Sequence, residues 1–345
     1  MRMLALFILA LMALPAEAAS FDCAAASTPF EHAICDNPEL SAADDRLART
    51  YATAIGGLSE AALAALRADQ RAWLDYARRA CTRDAAPLGQ GRYDARGVSC
   101  LVDLFDSRSR VLEQSRMLDG RRFYPLGTYA ALPDPDAAGD PDASWPVAQH
   151  ELSIVQIDSE EEFATGFNAF VRAQGDILSQ GLVSQGAPER VQLDPHSDTA
   201  NAIVVEEQAG RGRITLRVNT YWYGHGAAHG NWTITYLHYL VAEGRALEAG
   251  DLFAGKRWKA ALLDLAVAAL EAEHGDALML DDTRYIAESV ADPERWDLSD
   301  DYGLVIQFQP YEVSAYAYGA PTARISWADL EPYLAETADA VRYGF

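Results

Sequence analysis

The feature that most constrains this 345-residue chain is a group of four cysteines confined to its first 100 residues. An even number of clustered cysteines in an exported chain is typical of a disulfide framework, which supplements a small hydrophobic core. Three pairings are possible, and the sequence leaves all three open. We favour the two bridges that each close a local loop, Cys23–Cys35 and Cys81–Cys100.

The first 19 residues have the layout of a secretory signal peptide. Arg2 supplies a short positive start, residues 3–14 are almost wholly apolar, and Ala16-Glu17-Ala18 forms a small-x-small cleavage site. The apolar run is too short for a stable membrane span, and no later stretch is long enough for one. Because the residues before Cys23 do not match a lipobox, we expect a soluble periplasmic or secreted protein without a lipid anchor.

Charged residues divide the chain into two parts, which predicts two domains over residues 20–118 and 119–345. The first part has 12 basic and 14 acidic residues, whereas the second has 15 basic and 36 acidic residues, a net charge of −21. This balance argues against general nucleic-acid binding, since phosphates require a basic surface. It favours a cationic partner through long-range attraction, with the solubility of an exported protein as the simpler explanation.

The first domain is predicted to hold four helices. Thr28, Pro29 and Glu31 have the spacing of a capping box at the start of a short helix, and Asn37-Pro38 ends that helix. Apolar residues at helical spacing indicate three further helices, and a polar, Gly-rich loop over residues 82–98 precedes the last of them. The three helices are expected near residues 40–55, 59–81 and 99–112.

Two motifs between the cysteines resemble a known family. Leu40-Ser-Ala-Ala-Asp44-Asp45-x-Leu47 precedes Gln70-Arg71-Ala72-Trp73-Leu74, and with the cysteine spacing they resemble the LprI-type N-terminal domain family, named after a lysozyme-inhibiting envelope lipoprotein. The likeness covers residues 21–118 and implies inhibition of lysozyme. The second motif has two interpretations. Gln70, Arg71 and Trp73 contact a partner, or the motif is structural, with Trp73 in the core and Arg71 paired with an acid such as Asp45.

The second domain is predicted to be α+β with a mainly antiparallel sheet. Residues 125–146 are rich in Pro, Asp, Ala and Gly, and we expect an irregular entry segment there. Apolar residues at helical spacing predict helices over residues 160–173 and 256–274, and the mostly polar residues 174–196 are expected to form a loop. Runs of β-branched and aromatic residues predict strands over residues 152–157, 203–205, 213–223, 232–241, 304–308 and 323–327.

Three stretches of the second domain resemble another family. They are residues 223–231, beginning Tyr-Gly-His-Gly, residues 247–253, and residues 308–319, beginning Phe-Gln-Pro-Tyr. They look like the domain at the extracellular end of RsiV, an anti-sigma factor that acts as a lysozyme receptor, and a similar domain accompanies some peptidoglycan deacetylases as a non-catalytic module. The resemblance implies lysozyme binding. The sigma-binding segment and retained membrane helix of an anti-sigma factor have no counterpart in this sequence.

The glycine-histidine stretch holds the candidate binding residues of the second domain. His225 and His229 have the His-x-x-x-His spacing that binds zinc on a helix, but the flanking glycines favour a turn between strands, so we expect a structural loop and no metal. Tyrosines near residue 316 are expected either to form a recognition surface or to pack in the core. The residues predicted to contact a partner are Tyr223, His225, His229, Asn231 and Tyr316.

Motifs for catalysis are missing from the sequence. It contains no Walker or dinucleotide fingerprint, and the cysteines are expected to be consumed in disulfides, which removes a thiol nucleophile. We therefore predict a protein that is not an enzyme and has no cofactor, with a hydrolase kept as a minor option because carboxylates are abundant. The main hypothesis is a periplasmic protein that binds or inhibits lysozyme. The alternative is a non-catalytic envelope module that binds peptidoglycan or assists an envelope enzyme.

Overall fold

The computed structural model of the protein describes residues 19–140, 142–180 and 193–345. Apart from Ala19, the predicted signal peptide lies outside the described residues. The described part has the predicted α+β architecture, in which a four-helix region is followed by two β-sheets with their own helices. Within these ranges, no helix is long and apolar enough to cross a membrane.

Four helices form the N-terminal region, as predicted. The first begins with the predicted capping box, in which Thr28 Oγ1 accepts the Glu31 N–H and Glu31 Oε2 accepts the Thr28 N–H. The fourth begins earlier than the predicted Ser99, because Asp94 Oδ1 accepts the Gly97 N–H and so caps the helix. The helices are α1 (Pro29–Asp36), α2 (Pro38–Ala54), α3 (Glu60–Ala80) and α4 (Ala95–Leu112).

Both favoured disulfides are confirmed. Cys23–Cys35 joins the segment before α1 to the end of that helix, and Cys81–Cys100 joins the residue after α3 to α4. Each bridge closes a short loop, of 12 and 19 residues in sequence separation. Each closed loop removes conformational entropy from the unfolded chain, so the two bridges together stabilise a helical core of this size.

The second sequence motif of the helical region has a structural role. Trp73 is 1% exposed and packs edge-on against Phe105 at a ring distance of 5.2 Å. Gln70 accepts a hydrogen bond from the buried Arg108, so it also belongs to the framework of the region. Asp45 forms its ion pair with Arg49, one turn further along α2, and not with Arg71 as the sequence suggested.

A seven-stranded sheet follows, and its strands lie side by side in chain order. All neighbouring strands are antiparallel except β3 and β4, which are parallel because helix α5 connects them. The sheet is therefore mainly antiparallel, as predicted. Its elements are β1 (Met117–Leu118), β2 (Arg121–Pro133), β3 (Val147–Ile157), α5 (Glu162–Gln180), β4 (Ser197–Ala209), β5 (Arg213–Gly224), β6 (Asn231–Leu240) and β7 (Arg245–Ala246).

The expectation of an irregular segment over residues 125–146 was wrong for residues 125–133, because strand β2 continues to Pro133. Pro125 is tolerated there because of the direction of its neighbours' N–H groups. Phe123 and Gly127 lie two residues before and after Pro125, so their N–H groups point to the same side of the strand as its nitrogen. These N–H groups donate to Arg116 O and Asp69 Oδ1, away from strand β3. A proline at this position of the alternation therefore removes no hydrogen bond between β2 and β3.

Helix α5 covers the sheet and is longer than predicted, since it continues to Gln180. Phe167 and Val171 of this helix are fully buried and form a core with apolar residues of the sheet such as Phe123 and Leu216. The predicted helix ended at residue 173 because the sequence after it is mostly polar. Residues 174–180, expected to be a loop, thus belong to the helix, and Leu178 packs against the same core. Residues 181–192 of the expected loop lie outside the described residues.

A second core lies between helix α7 and a three-stranded antiparallel sheet. Leu262, Ala266 and Leu270 of the helix pack on buried residues of these strands and of the chain around them. The elements of this part are α6 (Ala249–Leu252), α7 (Trp258–His274), α8 (Ala287–Val290), β8 (Trp296–Asp297), β9 (Gly303–Gln307), β10 (Thr322–Ser326), α9 (Trp327–Leu330) and α10 (Ala338–Tyr343).

The helical region is fastened to the large sheet through buried polar contacts. Arg108 of α4 pairs with Asp69 of α3, and both hydrogen bond to Tyr129 of β2. Tyr76 of α3 donates to Glu151 of β3 at 2.9 Å. The predicted domain boundary after residue 118 falls in the β1–β2 hairpin and stays a prediction, while these contacts hold the two regions together.

Candidate functional site

The candidate site is the turn between strands β5 and β6, residues 225–230, together with the aromatic side chains around it. The hairpin register pairs Trp222 with Asn231, which leaves the turn at the end of the ladder. Gly226 has φ of +80°, a backbone conformation that glycine adopts without strain. The predicted turn between strands is therefore present, and residues 226–229 at its tip are exposed.

His229 lies in a group of three aromatic rings, which we call the His229 cluster: His229, Tyr311 and Tyr316. The imidazole stacks on the Tyr316 ring with centroids 4.0 Å apart, and Tyr316 Oη donates to Gly230 O at 2.6 Å. Tyr311 Oη lies 3.2 Å from His229 Nε2. Gly230 suits this packing because a Cβ there would lie 2.5 Å from the Tyr221 hydroxyl.

Tyr311 occupies an unusual backbone conformation. Its φ is +69°, in the left-handed region that favours glycine, and its side chain is 62% exposed. A bulky residue there costs roughly 1–2 kcal/mol. Residues with backbone strain of this kind are concentrated at functional sites, and here the strained residue is a tyrosine beside the tip of the turn.

His225 points away from the His229 cluster into a second group of residues, which we call the His225 cluster. Its ring lies 2.5 Å from Asp134 Oδ2 through Nδ1 and 3.3 Å from Asp198 Oδ1 through Nε2, and its side chain is 7% exposed. The Trp145 ring stacks over His225 at 6.3 Å and contacts Tyr223 at 5.8 Å. The turn is thus anchored at its base by His225.

Asp134 is the most deeply buried acid of the His225 cluster. Burial acts to raise its pKa, but the hydrogen bonds from His225 and from the Asp136 amide outweigh it, so the pKa lies below its ordinary value. Asp134 is therefore a carboxylate at neutral pH. A buried carboxylate between two histidines, His225 and His196, stabilises the turn and the segment before β4 at the same place.

The five predicted contact residues fall into separate places. His229 and Tyr316 are stacked on each other, whereas Tyr223 and His225 lie beside Trp145. Asn231 is the first residue of β6, where its Oδ1 accepts the Trp232 N–H. Because His225 and His229 have different partners, they do not form the zinc pair that their spacing suggested as an alternative.

Sequence reasoning missed Trp145, Asp134 and His196. The first two lie in the segment expected to be irregular, and His196 lies in a polar stretch expected to be a loop. Tertiary structure brings all three to the base of the turn. The one signal in the sequence was Trp145 itself, a large apolar residue inside an Asp-, Ala- and Pro-rich segment.

A cleft of about 470 Å³ adjoins the His225 cluster, between the helical region and strand β3. Trp145 and Tyr93 offer aromatic rings to it, and its charged lining combines three arginines with three acids, namely Arg83, Arg92, Arg96, Asp84, Asp94 and Asp198. Aromatic rings suit flat apolar groups, and guanidinium groups suit carboxylates. The turn and the cleft therefore offer two kinds of binding surface on either side of Trp145.

Two family models each match a part of the chain. Residues 23–112 match the family model "Lysozyme inhibitor LprI", and residues 250–328 match the model "Protein of unknown function (DUF3298)". The first match confirms the resemblance of the helical region that its motifs predicted. The second match is to a family without an assigned function, and the likeness to RsiV stays a prediction.

Two solved structures of the DUF3298 family are similar to the chain. One, from Bacteroides fragilis, has 17% identity and a TM-score of 0.48, and the match covers 65% of this chain and 96% of that one. The other, from Pseudomonas aeruginosa, has 16% identity and a TM-score of 0.42, with 65% and 98% covered. A comparison with curated protein sequences gives no match.

Proposed function

We propose that the protein is an exported binding protein that captures lysozyme and inhibits it, and that it is not itself an enzyme. The observation that carries the proposal is the match of residues 23–112 to the LprI lysozyme-inhibitor family, over the stretch that contains both disulfides. Disulfides persist in oxidising compartments, which supports a periplasmic or secreted location.

The charge of the second region supports the same partner. Residues 119–345 carry 15 basic and 36 acidic residues, and lysozymes are commonly basic proteins. Opposite net charges raise the rate at which two proteins meet and orient them before contact. The acidic region would therefore attract the enzyme.

The exposed aromatic residues at the β5–β6 turn support a contact surface in the second region. Tyr221 and Trp222 are 40% and 41% exposed at the end of β5, and Tyr311 is 62% exposed beside the tip. Tyrosine and tryptophan contribute most to binding at protein interfaces. We propose that this turn enters the active-site cleft of lysozyme, with His229, Asn231 and Tyr316 shaping its surface.

A lytic assay with the purified full-length mature protein tests the proposal. The wild-type chain should slow lysis of cell walls by a basic lysozyme, and Trp222→Ala and Tyr311→Ala should each weaken inhibition by roughly tenfold or more. Tyr302→Ala is the matched control, since Tyr302 is 80% exposed in the loop before β9 and lies outside the turn. It should inhibit like the wild type.

Two outcomes would contradict the proposal in different ways. An absence of both inhibition and binding with several lysozymes would exclude lysozyme as the partner. Inhibition that survives in both turn variants would keep the partner but place the contact elsewhere, for which the helical region is the remaining candidate. Circular dichroism of each variant separates loss of contact from loss of fold.

The cleft beside Trp145 favours a second candidate function, the binding of peptidoglycan fragments. Its aromatic rings suit sugar faces, and its arginines suit the carboxylates of muramic acid and stem peptides. Isolated cell-wall sacculi should then retain the protein, and Arg92→Ala with Trp145→Ala should release it. Retention without any lysozyme inhibition would favour this candidate over the first.

A further inference from the structure

The base of the β5–β6 turn carries a group of side chains with metal-binding chemistry that the proposed function does not use. Asp134, Asp136 and His196 each direct one ligand atom to the same place, and these atoms all lie within 4.8 Å of one another. They come from two distant parts of the chain, the segment after β2 and the residue before β4. They also line one hollow that Trp145 and His225 border.

Two of the three distances between the ligand atoms are those expected around a coordinated ion. His196 Nδ1 lies 3.3 Å from Asp134 Oδ1 and 3.4 Å from Asp136 Oδ2. Zinc binds imidazole nitrogen and carboxylate oxygen at about 2.0–2.2 Å, so two ligands at a tetrahedral angle lie roughly 3.3–3.5 Å apart. The side chains already hold this spacing.

The groups around these ligands hold them in place. His225 Nδ1 contacts Asp134 Oδ2, while Asp134 Oδ1 accepts the Asp136 N–H at 2.8 Å and faces His196. The peptide N–H of His196 donates to Asp194 Oδ1, and the carbonyl of Asp194 contacts the buried ring of His150. Hydrogen bonds to a ligating carboxylate, like those that Asp134 receives, orient metal ligands in known sites.

We propose that Asp134, Asp136 and His196 bind a divalent transition-metal ion of the zinc class, with water completing its coordination. One imidazole among the ligands favours such ions over calcium or magnesium, which prefer oxygen alone. His196 and Asp136 are 46% and 88% exposed, so the ion has access from solvent. The ion would join the segment after β2 to the start of strand β4, which pairs with β5 beside the turn.

Zinc titration of the tag-free, chelator-treated mature protein tests the proposal. The wild type should bind one Zn²⁺ ion by calorimetry, and Co²⁺ should give the visible d–d absorption band of a protein-coordinated ion. His196→Ala and Asp136→Asn should each weaken Zn²⁺ binding by about tenfold or more and remove the Co²⁺ band. Both residues are exposed enough to be replaced without disturbing the core.

Two control variants separate this site from general attraction by an acidic surface. His32→Ala removes an exposed histidine of α1. Asp142→Asn removes another acid of the segment between β2 and β3 that contains Asp136. Both should bind zinc like the wild type. If the wild type and His196→Ala titrate alike, or if all four variants weaken binding equally, the proposal is overturned, and His196 is then only an ion-pair partner of the two acids.

Discussion

Tyr311 shows how a single residue can be held in an unfavourable conformation at the candidate site. Its positive φ requires support from its surroundings, which it receives from His229 and Tyr316. Its ring is nevertheless mostly exposed, so burial does not explain why a tyrosine stands there. A contact surface that uses the ring does explain it, since aromatic residues dominate binding energy at interfaces.

Replacement of Tyr311 by glycine tests whether the ring serves binding of a partner or stability of the fold. Tyr311→Gly should leave the free energy of unfolding unchanged within about 1 kcal/mol, because relief of backbone strain offsets the lost ring contacts. Tyr302→Gly, which has no strain to relieve, should lose roughly 0.5–1 kcal/mol. Urea unfolding measures both. Lysozyme inhibition should fall only in the Tyr311 variant, and a large loss of stability there would show that the ring is structural.

His238 is a buried histidine in the large sheet. Its Nδ1 lies 3.0 Å from Thr215 Oγ1 and its Nε2 2.8 Å from Trp296 O. Burial, with a smaller effect from the nearby Arg213, lowers the pKa of His238 from 6.5 to about 3. The ring is therefore neutral in the folded protein at any pH above that value, whereas it gains a proton below pH 6.5 when the chain unfolds.

This difference in pKa makes the protein less stable in mild acid. Since the unfolded state binds the extra proton, stability from His238 is fully present above pH 6.5 and falls as the pH drops toward 3. Between pH 7 and pH 5 the free energy of unfolding should fall by about 2 kcal/mol. His238→Gln should flatten this part of the profile measured by urea unfolding. An unchanged slope would assign the effect to other groups, such as His150, whose pKa burial also lowers.

At the scale of elements, the helical region depends on one buried ion pair. The side chains of Arg108 and Asp69 are 1% and 4% exposed, and Asp69 also accepts the Gly127 N–H of strand β2. The pair thus links α3, α4 and the sheet. A buried charge whose partner is removed is costly, so this pair matters more than the exposed ones.

Removal of one partner should show this difference. Arg108→Ala should lower the free energy of unfolding by roughly 3–5 kcal/mol, because it leaves Asp69 buried without its charge partner. Arg46→Ala is the matched control, since Arg46 pairs with Asp106 at the surface, and it should cost at most about 1 kcal/mol. Thermal and urea unfolding of both variants measure the effect. Equal losses would mean that the buried network relaxes or admits water.

The elements themselves were predicted unequally. The capping box of α1 and the apolar stripes of α3 and α7 are local patterns, so the sequence indicated these helices directly. Strand β2 was missed because proline usually argues against a strand. Pro125 is tolerated because its nitrogen points away from β3, which the sequence does not show. The first turns of α4 were missed because a Gly-containing, polar stretch is a weak helix signal.

At the scale of the whole molecule, the unequal charge of the two regions predicts a strong effect of salt on partner capture. The association rate with a basic lysozyme should fall by about tenfold or more from roughly 0.01 to 0.3 M salt, as screening shortens the range of attraction. The dissociation rate should change much less. Surface plasmon resonance with immobilised full-length protein separates the two rates.

Charge-neutralised lysozyme provides the control for this prediction. Acetylation of its lysines removes the positive charge, so association should be slow at every salt concentration. If unmodified lysozyme associates at a rate that salt does not alter, the acidic surface serves solubility and does not attract the enzyme. The two results thus decide between the explanations that the composition left open.

The sequence by itself determined the features that depend on near neighbours and on composition. It favoured both disulfides among three possible pairings, and it predicted the four helices between and around them, the α+β class of the remainder and the resemblance of the helical region to the LprI family. These follow from short loops, from helical periodicity and from alternation in strands, each of which needs only a few consecutive residues.

Only the tertiary structure decided the make-up of the candidate sites. His225 and His229 are close in sequence, yet their rings have different partners because the turn directs them to opposite groups of residues. Asp134, Trp145 and His196 are far apart in sequence and meet because β2, β3 and β4 are neighbours in one sheet. Strand pairing at long range sets these contacts, and the spacing of residues along a chain contains no record of it.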